Sequence, residues 1–235
     1  MTCLEVRHVC PETKGAIPLI RMIACEMLRD ELELAMAQTG VRPETVWLDK
    51  GLHDTPQKLR ETLQSAIDAL PPCDTILLAM ALCGGAMDGI TSPRATLAVP
   101  RFDDCIRMLL SVQPGLRNAA DPHSLYFTRQ WMDSDGHILR ERSRYVQRYG
   151  EKKAKKIMHL MLANYESYRL VDTGAYDLAA WQTQARMDAA ELGLAYGTQK
   201  GSVRVLEKLL RQEFDEESLV IRPGETLTQR MFLNL

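Results

Sequence analysis

Four side chains with soft donor atoms, Cys25, His53, Cys83 and Cys105, recur at intervals that alternating strands and helices would bring to one edge of a sheet. Thiolate and imidazole are the ligands that zinc takes tetrahedrally and that iron–sulfur clusters use. A Cys3His set therefore predicts a metal centre, closed if all four bind and open to a substrate if only three do. The same thiols can work without metal, because a thiolate is itself a nucleophile. Burial is the opposing reading, since reduced cysteine commonly packs as a small hydrophobe. None of the three cysteines lies in the middle of an apolar run, and His53 is followed by Asp54 in an expected loop.

These thiols have value only in a reducing compartment, and the composition points to one. At 235 residues the chain is long enough to bury a core without disulfide or metal staples. Its N-terminus, MTCLEVRHVCPETKGAIPL, carries acids and prolines where a signal peptide needs an apolar stretch. The most apolar run, Thr75 to Leu82, is strand length, far short of the ~20 residues of a membrane span. A cytoplasmic protein is expected, with its six cysteines reduced. Lys plus Arg number 29 against 31 Asp plus Glu, so charge supplies no chain-wide reason to bind nucleic acid or an anionic membrane.

The elements that position the four residues follow from hydrophobic period. Leu19 to Ala24 reads as a buried strand and EMLRDELELAMAQTG as a helix stopped by Gly40. Thr45 to Leu48 is a short strand, and Gly51 to Pro56 a loop. A helix then begins at Pro56 and ends before Pro71 and Pro72. TILLAMAL and TLAVP are two further strands, the second leading into the helical RFDDCIRMLLSV. Strand and helix alternating in this way predict an α/β fold: an open, doubly wound, mostly parallel sheet with helices on both faces. The C-terminal half is more helical: HSLYFTRQWM, a charged stretch from Leu139 to Tyr168, a helix over Asp177 to Leu192 and another in SVRVLEKLLRQEF. Short strands at Ser167 to Val171, Leu194 to Tyr196 and SLVIRP would extend the sheet or form a second lobe. A flexible tail over 1–18 and one α/β domain over 19–235 are expected.

In such a sheet ligands bind outside the carboxyl ends of the strands, which places Cys25, His53, Cys83 and Cys105 at four successive strand ends. Gly84 and Gly85 allow close approach of backbone to a ligand, or simply a tight turn. In PRFDDC, Asp103 is expected to cap the helix and Asp104 to orient a metal ligand, while Arg101 could anchor a carboxylate or phosphate or form a surface ion pair. Tyr126, Phe127 and Trp131 are read as core or as a pocket wall. Lys152 to Lys156 form the solvated face of a helix that buries Ile157, Leu160 and Met161. Cys3, His8 and Cys10 fall in the tail and Cys73 in a loop, and these look incidental.

The succession IAC, LHDTP, LCGG, PRFDDC, YFTRQW, VDTGAYD and VIRPGE resembles the domain-of-unknown-function family sixteen-thirty-eight over about Leu19 to Pro223. Members resemble one another at the Cys and His positions above. The resemblance implies a setting beside corrinoid-dependent methyltransferase systems, with a corrinoid protein or methyltransferase as partner. One departure is visible: the family reads Tyr-Gly-x-Cys-Gly where this chain has Met80, Ala81, Leu82, Cys83 and Gly84, so any role of that tyrosine and glycine does not transfer. Together these readings predict a zinc or iron–sulfur thiolate protein in or beside one-carbon methyl transfer. The alternatives are a non-catalytic module that binds metal or cofactor for a methyltransferase, and a metal-free enzyme with a cysteine nucleophile acting on a small molecule.

Overall fold

Alternating burial along the central strands decides which face each helix covers. The structure, a computed structural model, describes residues 18–116 and 120–233, with the side chains of His53, Asp54 and Leu233 outside that description. The expected tail through residue 17, with Cys3, His8 and Cys10, also lies outside the described residues. In strand β1 (Ile20–Cys25), Ile23 and Cys25 join one core while Met22 and Ala24 join the other. β3 (Thr75–Ala79) divides in the same way, with Ile76 and Leu78 on one side and Leu77 and Ala79 on the other. Strands buried on both faces need helices on both faces, as side chains alternate along a strand. Helix α1 (Arg29–Thr39) covers one with Leu32, Ala35 and Met36; α2 (Pro56–Ala69) covers the other with Leu59, Leu63 and Ile67.

With β2 (Glu44–Leu48), β4 (Thr96–Pro100) and β8 (Ser218–Ile221), the first sheet has the order β2-β1-β3-β4-β8. All neighbours are parallel except β8, which runs antiparallel to β4. The expected mostly parallel, doubly wound sheet is present. Its order reverses between β1 and β3, the switch point beside which such sheets form their crevice. Strand β3 ends at Ala79, three residues before the expected boundary, because the Met80 N–H turns back to Leu78 O (2.9 Å).

The chain then leaves this sheet to build another. β5 (Ser124–Phe127), β6 (Ser167–Asp172) and β7 (Ala195–Lys200) form a separate parallel sheet in that order. Between them lie α4 (Arg129–Met132), the consecutive helices α5 (Ile138–Tyr149) and α6 (Glu151–Leu162), and α7 (Leu178–Leu192). HSLYFTRQWM was expected to be wholly helical, but SLYF is a strand. Parallel pairing with Ser167 to Leu170 supplies its ladder, and Ser124 Oγ meets Ser167 Oγ at 2.6 Å. The lysines at 152, 153, 155 and 156 are exposed as expected. The buried side of α6 is instead Ala154 and Met158, and Leu160 and Met161 face solvent. After β7 the chain returns to the first sheet through α8 (Arg204–Leu210) and β8, and α9 (Gln229–Leu233) follows. Among the described residues no helix is long and apolar enough to cross a membrane.

Helix α1 fastens one sheet to the other. The carboxylate of Asp30 accepts from Arg129 Nε (2.6 Å) and Nη2 and from Gln130 Nε2 (3.2 Å). The next residue, Glu31, is fully buried and accepts from the Thr173 hydroxyl (3.1 Å), while its other oxygen, Oε2, has no hydrogen-bond partner. Burial lifts the Glu31 carboxyl from an ordinary 4.5 to about 7, Asp30 adding to the effect and Arg129 opposing it. A raised carboxyl holds its proton in the folded chain after the unfolded chain has lost it, so stability is fullest below the unfolded value and falls as pH rises towards the folded one. Urea midpoints of the native chain should fall between pH 4.5 and about 7, by on the order of 3 kcal/mol in unfolding free energy. Glu31→Gln should abolish that slope; equal slopes in both proteins would refute a protonated Glu31.

Candidate functional site

Two backbone hydrogen bonds set the site. Beyond the end of β3, Leu82 N–H donates to Phe102 O (3.0 Å) and Cys83 N–H to Asp103 O (3.1 Å). These bonds pin the chain after β3 to the chain after β4, two residues before Cys105 opens α3 (Cys105–Leu110). The two thiols consequently meet: Cys105 is hydrogen-bonded to Cys83. That bond, burial and the charges of Cys83 and Cys25 all push the Cys105 thiol well above its ordinary range, against a backbone hydrogen bond with Ala81. Cys105 therefore stays protonated and acts as a donor towards the Cys83 sulfur.

The turn at Cys83–Gly85 is backbone-strained. Cys83, Gly84 and Gly85 have φ of 47°, 66° and 91°. The two glycines adopt such angles freely, but a left-handed φ at Cys83 costs an L-residue about 1–2 kcal/mol. Residues held in sparsely populated backbone regions gather where function requires a side chain to be aimed. Cys83 packs against both cores of the first sheet yet is partly exposed, while Cys25 and Cys105 are 2% and 5% exposed.

Both thiols line a cleft of about 580 Å3 between the two sheets. Its near side is made by Pro56, Gly84, Asp104 and Arg107, its far side by Pro122, Tyr126, Trp131 and Tyr165. Arg107 pairs loosely with Asp104 (3.4 Å) and Asp103 (3.9 Å), contacts worth little at this exposure and easily exchanged for an anionic ligand.

The remaining expected residues are distributed as follows. Cys25 ends β1 and its sulfur accepts the Met27 N–H (3.4 Å); it lies near enough to act on Cys105 electrostatically but is not among the residues lining the cleft. His53 belongs to a 3-10 turn, Lys50–Asp54, where a loop was expected. Its side chain lies outside the described residues. Among the described residues no group of three or more His, Cys, Asp and Glu is arranged to hold a metal ion. Asp104, not Asp103, caps α3, accepting the Arg107 N–H at 2.7 Å, because its backbone is extended where the helix begins. Arg101 donates from Nε to Met231 O (2.7 Å) and does not line the cleft; the cleft guanidinium is Arg107, which the sequence reading missed. Tyr126 and Trp131 form wall, whereas Phe127 is core, stacked on Tyr168 at 4.2 Å. Cys73 sits at the other end of the first sheet, ahead of β3, and Cys25, Cys73, Cys83 and Cys105 are all free of disulfides.

A family model described as a protein of unknown function (DUF1638) matches residues 47–210. That segment contains Cys83, Cys105 and every wall of the cleft, while Cys25 precedes it. No curated protein and no solved structure matches the chain.

The strained turn has a direct test in unfolding free energy. Cys83→Gly should be more stable than Cys83→Ala by about 1 kcal/mol, because only glycine adopts the left-handed angle without cost. Gly84→Ala combines that angle with a new Cβ 3.3 Å from Pro56 Cγ, and should lose about 1–2 kcal/mol. Urea titration of the three variants would show no such order if the turn were relaxed.

Proposed function

The chain belongs to the DUF1638 family, whose description assigns no activity, and from the geometry of its cleft we propose that it handles a small molecule through the Cys83 sulfur, with Cys105 as hydrogen-bond donor. One observation carries this reading: two thiols from different strand ends are in contact at an open cleft between two sheets. As a thiolate, Cys83 attacks an electrophilic carbon; the new S–C bond forms as the bond from that carbon to its leaving group breaks. The Cys105 S–H steadies negative charge on Cys83 before attack and does not compete as a nucleophile, because it keeps its proton. Tyr126, Trp131 and Tyr165 supply apolar surface for the substrate, and Arg107 supplies charge for an anionic group on it. The carbon unit in this proposal is a methyl group, as the family resemblance implies, handled beside a corrinoid-dependent methyltransferase as partner.

A second reading retains the metal. Its support is that Cys25 acts electrostatically on Cys105, so three sulfurs share one neighbourhood. A zinc ion or iron–sulfur cluster bound there would hold its cysteines as thiolates. The described residues do not form the ligand set, so this reading needs the His53 side chain and a movement of Cys25 towards the cleft.

Alkylation with iodoacetamide, mapped by mass spectrometry alongside elemental analysis, separates the two. The first reading expects Cys83 to be labelled at least tenfold faster than Cys25 or Cys105, a gap of about 1.4 kcal/mol or more in barrier. Cys105→Ala should slow Cys83 labelling several-fold. Stoichiometric zinc or iron, with all three thiols protected until a chelator is added, would replace this reading with the second.

A further inference from the structure

Nucleophilic sulfur beside a second thiol has another reaction open to it, which requires no electrophilic carbon. Cys83 is reachable from the cleft, and Cys105 lines the same cleft in hydrogen-bond contact with it. Cys25 is placed differently: its sulfur accepts the Met27 N–H and it does not line the cleft. Cys73 is remote, packed beside Pro71 and Pro72 at the opposite end of the sheet. A contact between two thiols, one accessible and one sheltered, is the arrangement of an attacking and a resolving cysteine.

We propose that Cys83 and Cys105 form a reversible disulfide that closes the site, with a low-molecular-weight disulfide as oxidant. The proposal rests on the reading of Cys83 as the reactive cleft thiol. The Cys83 thiolate attacks one sulfur of the oxidant; the oxidant's S–S bond breaks, and the first thiolate leaves and takes up a proton. With Cys83 bonded in the mixed disulfide, its negative charge and the hydrogen bond that held the Cys105 proton are gone. Cys105 gives that proton to solvent and attacks the Cys83 sulfur, and the second small thiolate leaves and takes up a proton. The two cysteines lose two electrons and two protons, and the oxidant becomes two thiols. A reducing thiol reverses both steps. The oxidised pair has no thiolate to offer a substrate, so the reaction couples the site to the thiol–disulfide balance of its surroundings.

The backbone supports this pairing. The Cys83 N–H bond to Asp103 O holds the two segments together through the backbone, with neither sulfur taking part. Cys83 itself opens a turn whose next two residues are glycines, Gly84 and Gly85, which adopt left-handed angles freely.

The full chain, treated with oxidised glutathione and analysed by intact mass and peptide mapping, decides the matter. The expected result is loss of two hydrogens, a peptide linking Cys83 to Cys105, an unreacted Cys73, and full recovery with dithiothreitol. Cys105→Ser should stop at a glutathione adduct on Cys83, and Cys83→Ser should leave Cys105 unmodified. A wild-type chain that stops at the stable adduct on Cys83, or joins Cys83 to another cysteine, overturns the proposal. If Cys83 is alkylated rapidly but no thiol is consumed by the oxidant, the disulfide is refuted while the nucleophile reading survives. If Cys83 reacts with neither reagent, both fall.

Discussion

The ion pair between Asp30 and Arg129 sets the distance across which everything at the site must act. The cleft has one wall on each sheet, and the sheets share no strand. Their relation is fixed by side chains, with a bidentate guanidinium–carboxylate pair as the most directional of them. Gln130 adds a third hydrogen bond to the same carboxylate, and Glu31 with Thr173 adds another one residue along. All of these start from the first turn of α1, the helix that follows β1 at the switch point. A register shift in that helix would therefore move the aromatic wall relative to the thiols.

Two fully buried glutamates show how the fold treats charge by context. Burial raises the carboxyl of Glu31, whose nearest cation is already committed to Asp30. Burial acts on Glu217 in the same direction, but hydrogen bonds and charge from Arg204 and Lys208 overcome it and hold that carboxyl down to about 2. Glu217 is thus an ionised structural anchor, linked through Arg204 to Ser111 beyond the end of α3. Glu31 instead keeps its proton up to about pH 7, a hydrogen-bonding group at the junction of the sheets. The difference lies in partners, as both side chains are out of contact with water.

The first sheet was legible in the sequence because its strands are buried on both faces and read as short apolar runs punctuated by Gly and Pro. The same reasoning brought Cys83 and Cys105 to one edge. It could not show that the Asp103 carbonyl would draw them into contact, since that bond depends on how far the chain bends after Ala79. Nor could it show that Cys25 would turn its sulfur towards Met27. The second sheet was harder to see, because SLYF is only four residues long and aromatic residues suit either state. Recognising that strand would have separated Tyr126 from Phe127 at once, as neighbours on a strand face opposite ways. One becomes wall and the other core. Arg107 escaped notice because its place in the cleft follows from the start of α3, and the cap that sets this start moved by one residue to Asp104.

The order in which the chain visits its two sheets has a consequence for its synthesis. Ser202 N–H donates to Leu109 O (2.8 Å), so the chain re-enters the first sheet's territory beside the point where it left. The β5-β6-β7 segment is therefore carried as an insertion with adjacent ends, an arrangement that lets such a segment fold on its own. The outer edge of β4 and part of the core under α1 and β3 must wait for α8 and β8. During translation the inserted segment emerges whole while the older sheet still exposes an unpaired parallel edge, the surface most prone to wrong pairing. The chain thus finishes first what it began second, and the sheet that carries Cys83 and Cys105 has its β4 edge covered only when β8 has been added.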